Sequence, residues 1–419
     1  MTLLYDFALF CYALLLRLAA PFVPKAAAWG AGRRGLLPRI GAALAAEDAP
    51  RVWFHCASLG EFEQGRPLME AHRRAHPGTK IVLTFFSPSG YAVRKDWPGA
   101  DYVFYLPLDT RANARAFLAA VRPQLAVFVK YEFWYHFLTE ARRQGVPAVV
   151  VSAIFRPEQV FFKPWGGFFR RILGQLSHIF TQNQASADLL RRHGLARVSV
   201  AGDTRFDTVA ATALAAPRPL PLVEAFVADG APVLVVGSAW PEDLPALGPL
   251  LRRYAGQIRV LLAPHEITES HLAQIEAVLP GQVLRYSQAA AGTVAGGRLL
   301  LFDNVGLLSQ LYRFGQFAYV GGAFGKGLHN TLEAAAFGLP LFFGPTYGKF
   351  QEAVDLVALG CATPVRTAAE LEAAFARLLA DEALRLKMQD QALDYVHQQA
   401  GATARIMAAL GALDVPAPR

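Results

Sequence analysis

Short apolar runs alternate with longer amphipathic stretches through most of the chain. Six runs in the first half have the length and the flanking turn residues of buried strands: Arg51–Cys56, Lys80–Phe85, 124–129, 147–152, 179–182 and 198–201. Helix-like stretches separate them, and strands that alternate with helices indicate a parallel sheet with helices on both faces. The pattern stops at the proline-rich segment 215–221. A domain boundary is therefore expected close to this segment.

The second half repeats the same pattern. Its strand-like runs are 232–237, 258–262, 298–302, 317–321 and 340–343, and long helical segments follow at 368–379 and 382–410. Two doubly wound α/β domains that face a cleft, with a last helix crossing back over the linker, form the architecture called GT-B. In open parallel sheets, ligands bind beyond the carboxyl ends of the strands. We expect four segments: an anchor at 1–30, Rossmann-like domains at 31–213 and 214–385, and a returning helix at 386–419.

The N-terminus begins with an apolar run, residues 7–23, which only Arg17 and Pro21 interrupt. The run is slightly shorter than the roughly 20 residues that cross a bilayer. It lacks a basic segment before it and a cleavage site after it, so it reads as an uncleaved anchor rather than a signal peptide. A buried first helix of a soluble protein is the alternative interpretation. Whether an anchor of this length spans the membrane or lies in its interface stays open.

Charge changes this picture in two respects. The chain has a net charge of +8 with a pI near 9.5, which indicates an anionic partner: nucleic acid, phospholipid headgroups or a phosphorylated substrate. Because neither a nucleic-acid-binding module nor a Lys/Arg-rich run occurs, we expect no nucleic-acid partner. Lys25, Arg33, Arg34 and Arg39 follow the apolar run and, by the positive-inside rule, place the catalytic body on the cytoplasmic side.

Composition adds bounds on size and on redox chemistry. A length of 419 residues fits two domains, and 53% hydrophobic residues with only 18% charged residues fit a surface that partly meets lipid. The three cysteines are widely spaced, which indicates neither a disulfide framework nor a structural zinc site.

The first motif of chemical interest is Ser58-Leu59-Gly60-Glu61, directly after the first strand. Gly60 would let the chain turn tightly into a helix, which places Glu61 at the helix start and at the carboxyl edge of the sheet. An acidic residue there is commonly only a favourable partner of the helix dipole. A glutamate that faces the cleft is also able to act as general base toward a hydroxyl group. The motif alone leaves both interpretations open.

The second motif is the glycine-rich stretch 320–333, VGGAFGKGLHNTLE. It predicts a strand that enters a loop and then a helix over 330–337, whose first N–H groups would cradle a phosphate with help from Gly322 and Lys326. Glu333 would accept hydrogen bonds from ribose hydroxyls. Plain turn chemistry is the alternative reading of the glycines. The stretch does not match a P-loop, which disfavours ATPase chemistry.

Three more stretches lie at predicted strand ends: 237–243 with Ser238, 263–266 with Pro264 and His265, and 203–207 with Arg205. Each could be an ordinary capped loop. The chain has no D-x-D pair and no His and carboxylate residues at metal-ligand spacing, so neither a metal nor a cofactor is expected.

Together these motifs resemble the 3-deoxy-D-manno-octulosonic acid (Kdo) transferases, and the resemblance covers nearly the whole chain. It implies an inverting, metal-independent GT-B glycosyltransferase at the cytoplasmic face of the inner membrane. The implied donor is CMP-Kdo and the implied acceptor is the glucosamine disaccharide of a lipid A precursor. Membrane phospholipid would be a further partner.

The resemblance also implies site residues. Glu61 matches the general base of the family, and Arg205 matches a basic residue that stabilises the transition state. The residues expected at the donor are Ser238, Pro264, His265, Val305, Gly306, Leu307, Gly322, Lys326, Asn330, Thr331, Leu332 and Glu333. Those expected at the acceptor are Ser58, Gly60, Arg33 and Arg34.

One departure concerns the catalytic set. Many members read E-T-E-L-W where this chain has KYEFW at 130–134, so Lys130 replaces an acid while Glu132 is retained. We include both residues among the catalytic candidates. Two other functions remain open from the residues: a GT-B glycosyltransferase that uses a UDP-sugar, and a doubly wound ligand-binding protein without enzymatic activity.

Overall fold

The computed structural model describes residues 1–290, 292, 294–325 and 327–412. The chain divides into two compact units. Unit 1 comprises Met1–Thr208 and the segment from Ala400 onward, and unit 2 comprises Val209–Gln399. The segment limits expected from the sequence remain predictions.

Unit 1 is built on a parallel sheet with the strand order β3-β2-β1-β4-β5-β6-β7. The strands are β1 (Arg51–Cys56), β2 (Lys80–Phe85), β3 (Tyr102–Tyr105), β4 (Leu125–Val129), β5 (Ala148–Ala153), β6 (His178–Thr181) and β7 (Val198–Val200). Its helices in the described residues are α1 (Thr2–Ala19), α2 (Pro24–Arg33), α3 (Leu36–Leu44), α4 (Leu59–Ala75), α5 (Pro88–Arg94), α6 (Arg111–Val121), α7 (Tyr135–Arg143), α8 (Gly167–Leu173), α9 (Gln184–Arg192), the start of α10 (Thr204–Leu214) and α19 (Ala402–Ala412).

Unit 2 has the same plan, with the strand order β10-β11-β9-β8-β12-β13-β14. Its strands are β8 (Val233–Ala239), β9 (Arg259–Pro264), β10 (Val283–Arg285), β11 (Leu299–Leu301), β12 (Phe317–Val320), β13 (Leu341–Phe343) and β14 (Ala362–Pro364). Its helices in the described residues are α11 (Pro221–Phe226), α12 (Leu244–Tyr254), α13 (Glu269–Glu276), α14 (Leu308–Leu311), α15 (Leu332–Ala335), α16 (Gln351–Ala358), α17 (Ala368–Ala380) and α18 (Glu382–Gln399).

The central strands are buried along their whole length, as expected for a parallel sheet covered on both faces. Every residue of β1, β4 and β5 is buried. In unit 1, alternate residues of these strands enter two apolar clusters, one on each face of the sheet. Two doubly wound α/β domains in tandem confirm the predicted fold class.

Several predicted elements differ from the structure. The short edge strands β3, β10 and β14 were not predicted; most of their residues are only partly buried, whereas the equally short β11 and β13 are fully buried apolar runs. The predicted helix 382–410 is two helices, α18 and α19, since Gly401 adopts a φ of +95° between them. The predicted helix 330–337 is the four-residue α15.

Helix α19 belongs to unit 1 and completes its core. Ile406 and Leu410 pack in the same apolar cluster as Phe62 and Met69 of α4. The Asp207 carboxylate caps the start of α19, because it accepts the backbone N–H of Gly401 at 2.5 Å and that of Thr403 at 2.6 Å. The last described helix therefore supports α4, the helix that begins with the Ser58–Glu61 motif.

Helix α1 is long and apolar enough to cross a membrane, and none of its residues is buried. This finding agrees with the predicted apolar N-terminal helix and excludes the alternative of a helix buried in a soluble core. Its first turn is nevertheless fixed to unit 1. The Tyr5 hydroxyl donates to Asp109 at 2.5 Å, and Asp6 pairs with His136 at 2.6 Å.

Candidate active site

The strand order of each sheet has one switch point, where the chain stops adding strands on one side and starts on the other. It lies between β1 and β4 in unit 1, and between β8 and β12 in unit 2. Loops after these strands diverge and leave a crevice in which doubly wound proteins bind ligands. Glu61 and Lys130 follow β1 and β4, Ser238 lies near the end of β8, and Gly322 follows β12.

The start of α4 fixes the position of Glu61. Ser58 is in extended conformation and its hydroxyl accepts the Glu61 N–H at 3.4 Å, while the Glu61 carboxylate accepts the Ala57 N–H at 2.5 Å. This is a capping arrangement, so Glu61 does stabilise its helix start. Gly60 is not needed for the turn, because it lies inside α4 without a positive φ and a Cβ there would meet nothing within 4 Å.

The electrostatic environment of Glu61 differs from that of an ordinary cap. Burial and, next, repulsion by Glu132 raise its pKa from 4.5 to about 7. The Ala57 N–H, Lys130 and the Ser58 backbone oppose this rise. A carboxylate with this pKa is half ionised near neutral pH, the condition in which a general base is most effective.

Glu132 is held by two ring nitrogens. The Trp134 Nε1–H donates to its carboxylate at 2.7 Å, and His55 Nε2 lies 3.1 Å from the same oxygen. His55 is fully buried, and its Nδ1 lies 2.8 Å from the Thr84 hydroxyl on the neighbouring strand. His55 therefore fixes the carboxylate that repels Glu61. Sequence reasoning missed this residue, although a histidine in the otherwise apolar strand β1 is a usable signal.

Lys130 directly follows β4 and has a left-handed backbone with a φ of +66°. This conformation is uncommon for a residue with a side chain and favours a functional explanation. Its N–H donates to the Val151 carbonyl at 2.9 Å, which continues the strand pairing. The structure thus brings Glu61, Glu132 and Lys130 together. The positive charge of Lys130 lowers the pKa of Glu61, whereas the negative charge of Glu132 raises it.

Arg205 lies at the start of α10 and pairs with Asp203. Its Nε and a terminal nitrogen contact the same Asp203 oxygen at 2.8 Å and 2.7 Å. The adjacent Thr204 hydroxyl donates to the Gln64 carbonyl of α4 at 2.5 Å. Arg205 therefore lies beside the helix of Glu61, with its guanidinium oriented by a carboxylate.

The two arginines expected at the acceptor have different surroundings. Arg33 donates to the carbonyls of Leu106 and Phe86, both at 2.9 Å, and lies over the Trp29 ring at 4.2 Å. Burial lowers the pKa of Arg33 to about 10. It therefore ties α2 to the domain, whereas Arg34 is exposed to solvent.

In unit 2, Asp243 organises the loops at the switch point. This fully buried carboxylate accepts the N–H groups of Trp240 at 2.8 Å and Gly322 at 2.9 Å, and the Tyr319 hydroxyl at 2.9 Å. Ser238 has a φ of +53° just before Trp240, so the chain leaves β8 in a strained conformation. The loops after β8 and β12 are thereby joined through one side chain.

The two glycines after β12 are required by this close approach. A Cβ at Gly321 would lie 2.3 Å from the Ser238 carbonyl, and one at Gly322 would lie 2.4 Å from the Gly327 carbonyl. Gly322 also has a φ of +96°. Its N–H donates to Asp243 and is therefore not left for a phosphate. The role of Gly322 is to allow the close approach of the Gly327 carbonyl. Lys326 lies outside the described residues.

Three rings form a layer beside this loop. The rings of Trp240 and His265 stack at 4.3 Å, and those of His265 and His329 also at 4.3 Å. The Trp240 Nε1–H donates to His329 Nε2 at 2.7 Å. Burial and, next, repulsion by His265 lower the pKa of His329 to about 4, which keeps its ring neutral at pH 7. Neither Trp240 nor His329 was among the predicted site residues.

The segment after His329 differs from its prediction. Helix α15 begins only at Leu332 and has four residues, so the predicted limits of 330–337 are wrong, while phosphate binding at its start stays a prediction. The Asn330 amide donates to Glu333 at 3.0 Å. The Thr331 hydroxyl is buried and has no hydrogen-bond partner in the described part of the chain, which is costly unless a ligand supplies one.

The remaining predicted donor residues lie after neighbouring strands. Pro264 ends β9, and the His265 N–H donates to the Ala239 carbonyl at 2.9 Å. Val305, which is 87% exposed, precedes Gly306 with a φ of +95°. Leu307 follows and is the N-cap residue of α14. Because β8, β9, β11 and β12 are neighbouring parallel strands, the loops that follow them share one edge of the sheet.

Among residues 1–290, 292, 294–325 and 327–412, no group of three or more His, Cys, Asp or Glu side chains has the arrangement of a metal site.

Comparison with known proteins identifies the family. The family model described as 3-deoxy-D-manno-octulosonic-acid transferase (kdotransferase) matches residues 32–208. A 3-deoxy-D-manno-octulosonic acid transferase of Bordetella pertussis is 31% identical over 391 residues, which cover 89% of this chain and 89% of that protein. The enzyme of the same name from Chlamydophila psittaci is 29% identical over 71% of this chain and 70% of its own.

A solved structure supports the fold. The UDP-GlcNAc 2-epimerase of Neisseria meningitidis bound to UDP-GlcNAc has a TM-score of 0.62 at 14% identity and covers 86% of this chain and all of its own. This likeness shows the shared architecture alone. Because a relative is 31% identical over 89% of both chains and the family model matches residues 32–208, the chain belongs to the 3-deoxy-D-manno-octulosonic acid transferase family and is a glycosyltransferase that transfers Kdo in lipopolysaccharide synthesis.

Proposed function

We propose that the chain transfers Kdo from CMP-Kdo to a glucosamine hydroxyl of a lipid A precursor, with inversion at the anomeric carbon and without a metal. The reaction takes place at the cytoplasmic face of the inner membrane. The observation that carries the proposal is Glu61, a carboxylate at a topological switch point whose pKa is raised to about 7.

Glu61 takes the proton from a primary hydroxyl group of the acceptor. The hydroxyl oxygen bonds to the anomeric carbon of Kdo while the bond between that carbon and the CMP phosphate oxygen breaks, and the electron pair leaves with CMP. Positive charge develops on the sugar in the transition state. Glu132 and Lys130 act on the base electrostatically in opposite directions, and both affect its pKa.

Unit 2 binds the nucleotide of the donor. The layer of Trp240, His265 and His329 offers aromatic faces and a neutral histidine at the carboxyl edge of the sheet. Thr331 contributes a buried hydroxyl that lacks a partner in the described residues, and Glu333 contributes a carboxylate for sugar hydroxyls. These groups suit a nucleoside monophosphate, with Pro264 and the segment 305–307 bordering the site.

Basic side chains neutralise the charges of the donor and acceptor phosphates. Arg205, oriented by Asp203, is the candidate in unit 1. Exposed Arg34 is the better candidate for an acceptor phosphate than Arg33, whose donors are directed at backbone carbonyls. Ser58 and Gly60 border the acceptor, and the open space at Gly60 leaves room for a sugar to approach Glu61.

The test is direct. The full chain is incubated with CMP-Kdo and a lipid A precursor, and the product is weighed by mass spectrometry. We expect the acceptor mass to rise by one or more Kdo residues, and E61Q to abolish the rise while CMP binding remains. CMP should compete for donor binding and UDP should not. An unchanged acceptor mass with the wild-type chain, or competition by UDP alone, would overturn the proposal.

A further inference from the structure

Helix α1 has two distinct faces. Its exposed apolar side chains on one face are Leu3, Phe7, Phe10, Leu14 and Leu18, with exposed fractions from 43% to 84%. At 100° per residue these five positions fall within an arc of about 80°. Tyr5 and Tyr12, which contact unit 1, fall on the opposite side, and Asp6, which pairs with His136, falls at the edge between the two faces. The helix is thus docked along one face and exposed along the other, the bare face, where Phe10 and Leu14 also border a cavity that Leu108 and Arg111 line from unit 1.

The docked face is held by polar contacts at its first turn. Tyr5 donates to Asp109, a fully buried carboxylate that also accepts the N–H groups of His136 and Phe137 at 3.1 Å and 3.0 Å. Asp6 pairs with His136. These partners belong to the interior of unit 1, so the first turn of α1 is an integral part of the folded domain.

The middle of the helix is fixed as well. The Tyr12 ring packs on Trp29 at 6.0 Å and on Phe86 at 6.2 Å. Helix α1 has 18 residues and is about 27 Å long. A membrane-spanning orientation would carry one end of it about that distance from the domain surface. Because the first turn and the middle both contact unit 1, the helix lies along the domain.

The surroundings of the bare face are basic. Arg17, Lys25, Arg34 and Arg39 are exposed on α1 and in the α2–α3 region, and Asp6 is the one acidic residue in the sequence before Glu47. A cavity of about 1040 Å³ lies between α1, α2 and α3, lined by Arg17 and Arg34 beside apolar side chains such as Leu16 and Leu37. Apolar surface edged by cations matches an anionic phospholipid surface.

We propose that α1 is an in-plane helix: its bare face enters the headgroup and acyl boundary of an anionic bilayer, its basic rim meets lipid phosphates, and the N-terminus stays on the same side as the catalytic units. The inference deepens the proposed membrane location and does not depend on the identity of the transferred sugar.

Cys11 offers a native probe of depth. Of the three cysteines, Cys56 and Cys361 are buried and Cys11 is partly exposed near the middle of α1. A fluorophore on Cys11 in the full chain is bound to phosphatidylglycerol vesicles that carry nitroxide quenchers at the headgroup or at the end of the acyl chain. An in-plane helix leaves Cys11 roughly 5 to 10 Å deep, so the shallow quencher should be the stronger one. Stronger quenching by the deep nitroxide indicates a spanning helix and overturns the proposal.

The side on which the N-terminus lies is tested separately. The chain carries a protease-cleavable tag at each end and is reconstituted into vesicles with detergent. The proposal requires that molecules whose C-terminal tag is cleaved from outside also lose the N-terminal tag. Protection of the N-terminal tag in those molecules contradicts it.

Two variants test the surface itself. F7S/F10S/L14S removes apolar area without touching a docked residue and should weaken binding to anionic vesicles at least about fiftyfold. L386S is its control, because Leu386 is an exposed apolar residue of α18 in unit 2, 50% exposed, and should bind as wild type. If the triple variant binds vesicles normally but converts a dimer to a monomer in gel filtration, the face binds a second copy and the proposal fails.

Charge reversal tests the basic rim. R17E/K25E should weaken binding to phosphatidylglycerol vesicles at least about tenfold, and high salt should reduce the difference. R74E/R192E makes the same change in net charge at exposed positions of α4 and α9 and should have little effect. Equal losses in both double variants would show that net charge, not this surface, directs binding. Transfer to a water-soluble acceptor separates these outcomes from failure of the proposed reaction, since it needs no bilayer.

Discussion

Substitution of Glu61 by glutamine should remove transfer activity and stabilise the protein at the same time. Above neutral pH the folded chain carries a carboxylate that burial and Glu132 disfavour, which is why its pKa lies at about 7 instead of 4.5. A rise of this size corresponds to about 3 kcal/mol in the free energy of unfolding. Because Glu61 is partly exposed, solvent screening reduces the expected gain in E61Q to about 1 to 2 kcal/mol. The glutamine oxygen still accepts the Ala57 N–H, so the helix cap is retained.

The sign of the pH dependence follows from the direction of the shift. The folded-state pKa of Glu61 is raised, so the folded state binds the proton more tightly than the unfolded state. The cost of the carboxylate is fully present above about pH 7 and absent below about pH 4.5, where the group is protonated in both states. Urea unfolding should therefore show E61Q more stable than wild type at pH 8 and equal to it near pH 4.5.

Activity should follow the same ionisation in the opposite sense. A general base acts as carboxylate, so the transfer rate of the wild type should fall below pH 7, to roughly a tenth of the ionised limit at pH 6. E61Q should lose on the order of a hundredfold to ten-thousandfold. E70Q is the matched control, because Glu70 lies on the same helix and pairs with Arg66 at 3.6 Å on the surface. Wild-type turnover in E61Q, or lower stability of E61Q at pH 8, would refute the reasoning.

Three further predictions concern the surroundings of the two sites. E132Q removes the repulsion on the base and should move the acid limb of the pH profile to lower pH, whereas K130Q removes an attraction and should move it to higher pH. G322A places a Cβ 2.4 Å from a carbonyl at a φ of +96° and should cost about 2 to 4 kcal/mol of stability in urea unfolding, while G348A, in open space, should cost less than about 1 kcal/mol. D207A removes the cap of α19 and should cost about 1 to 2 kcal/mol, with faster hydrogen exchange in α19.

Each of these three predictions would be contradicted by a specific result. Shifts of the same sign in E132Q and K130Q would show that the two charges do not act on the base as described. Equal stability of the two glycine variants would mean that the loop after β12 relaxes freely. If hydrogen exchange in α19 were unchanged in D207A, the Asp207 carboxylate would not stabilise the start of this helix.

The sequence predicted the fold well because its strands are continuous apolar runs. Strands β1 and β2 have the predicted limits, and both sheets arise from the expected alternation of strands and helices. Short strands at the sheet edges, such as β14, carry too few residues for a period to be visible. Helix α15 was overestimated at its start, where the Asn330 side chain lies outside the helix and accepts the Leu332 N–H at 3.2 Å.

The candidate sites were predicted in part. Glu61 and Glu132 were found from their motifs, but their mutual repulsion depends on the adjacency of β1 and β4, which are separated by two other strands in the chain. His55 and the partners of Asp243 were missed for the same reason, since long-range contacts set their roles. Gly322 was singled out by its motif, yet its N–H donates to Asp243 rather than being left for a phosphate.

The place of α19 in unit 1 has a consequence for biosynthesis. Residues 402–412 leave the ribosome after all of unit 2, although Ile406 and Leu410 fill the core against α4. Unit 1 is therefore the first unit to be translated and the last to be completed. Until then, the helix that carries Glu61 has an open apolar flank, so a nascent chain paused within unit 2 should expose this flank to chaperones.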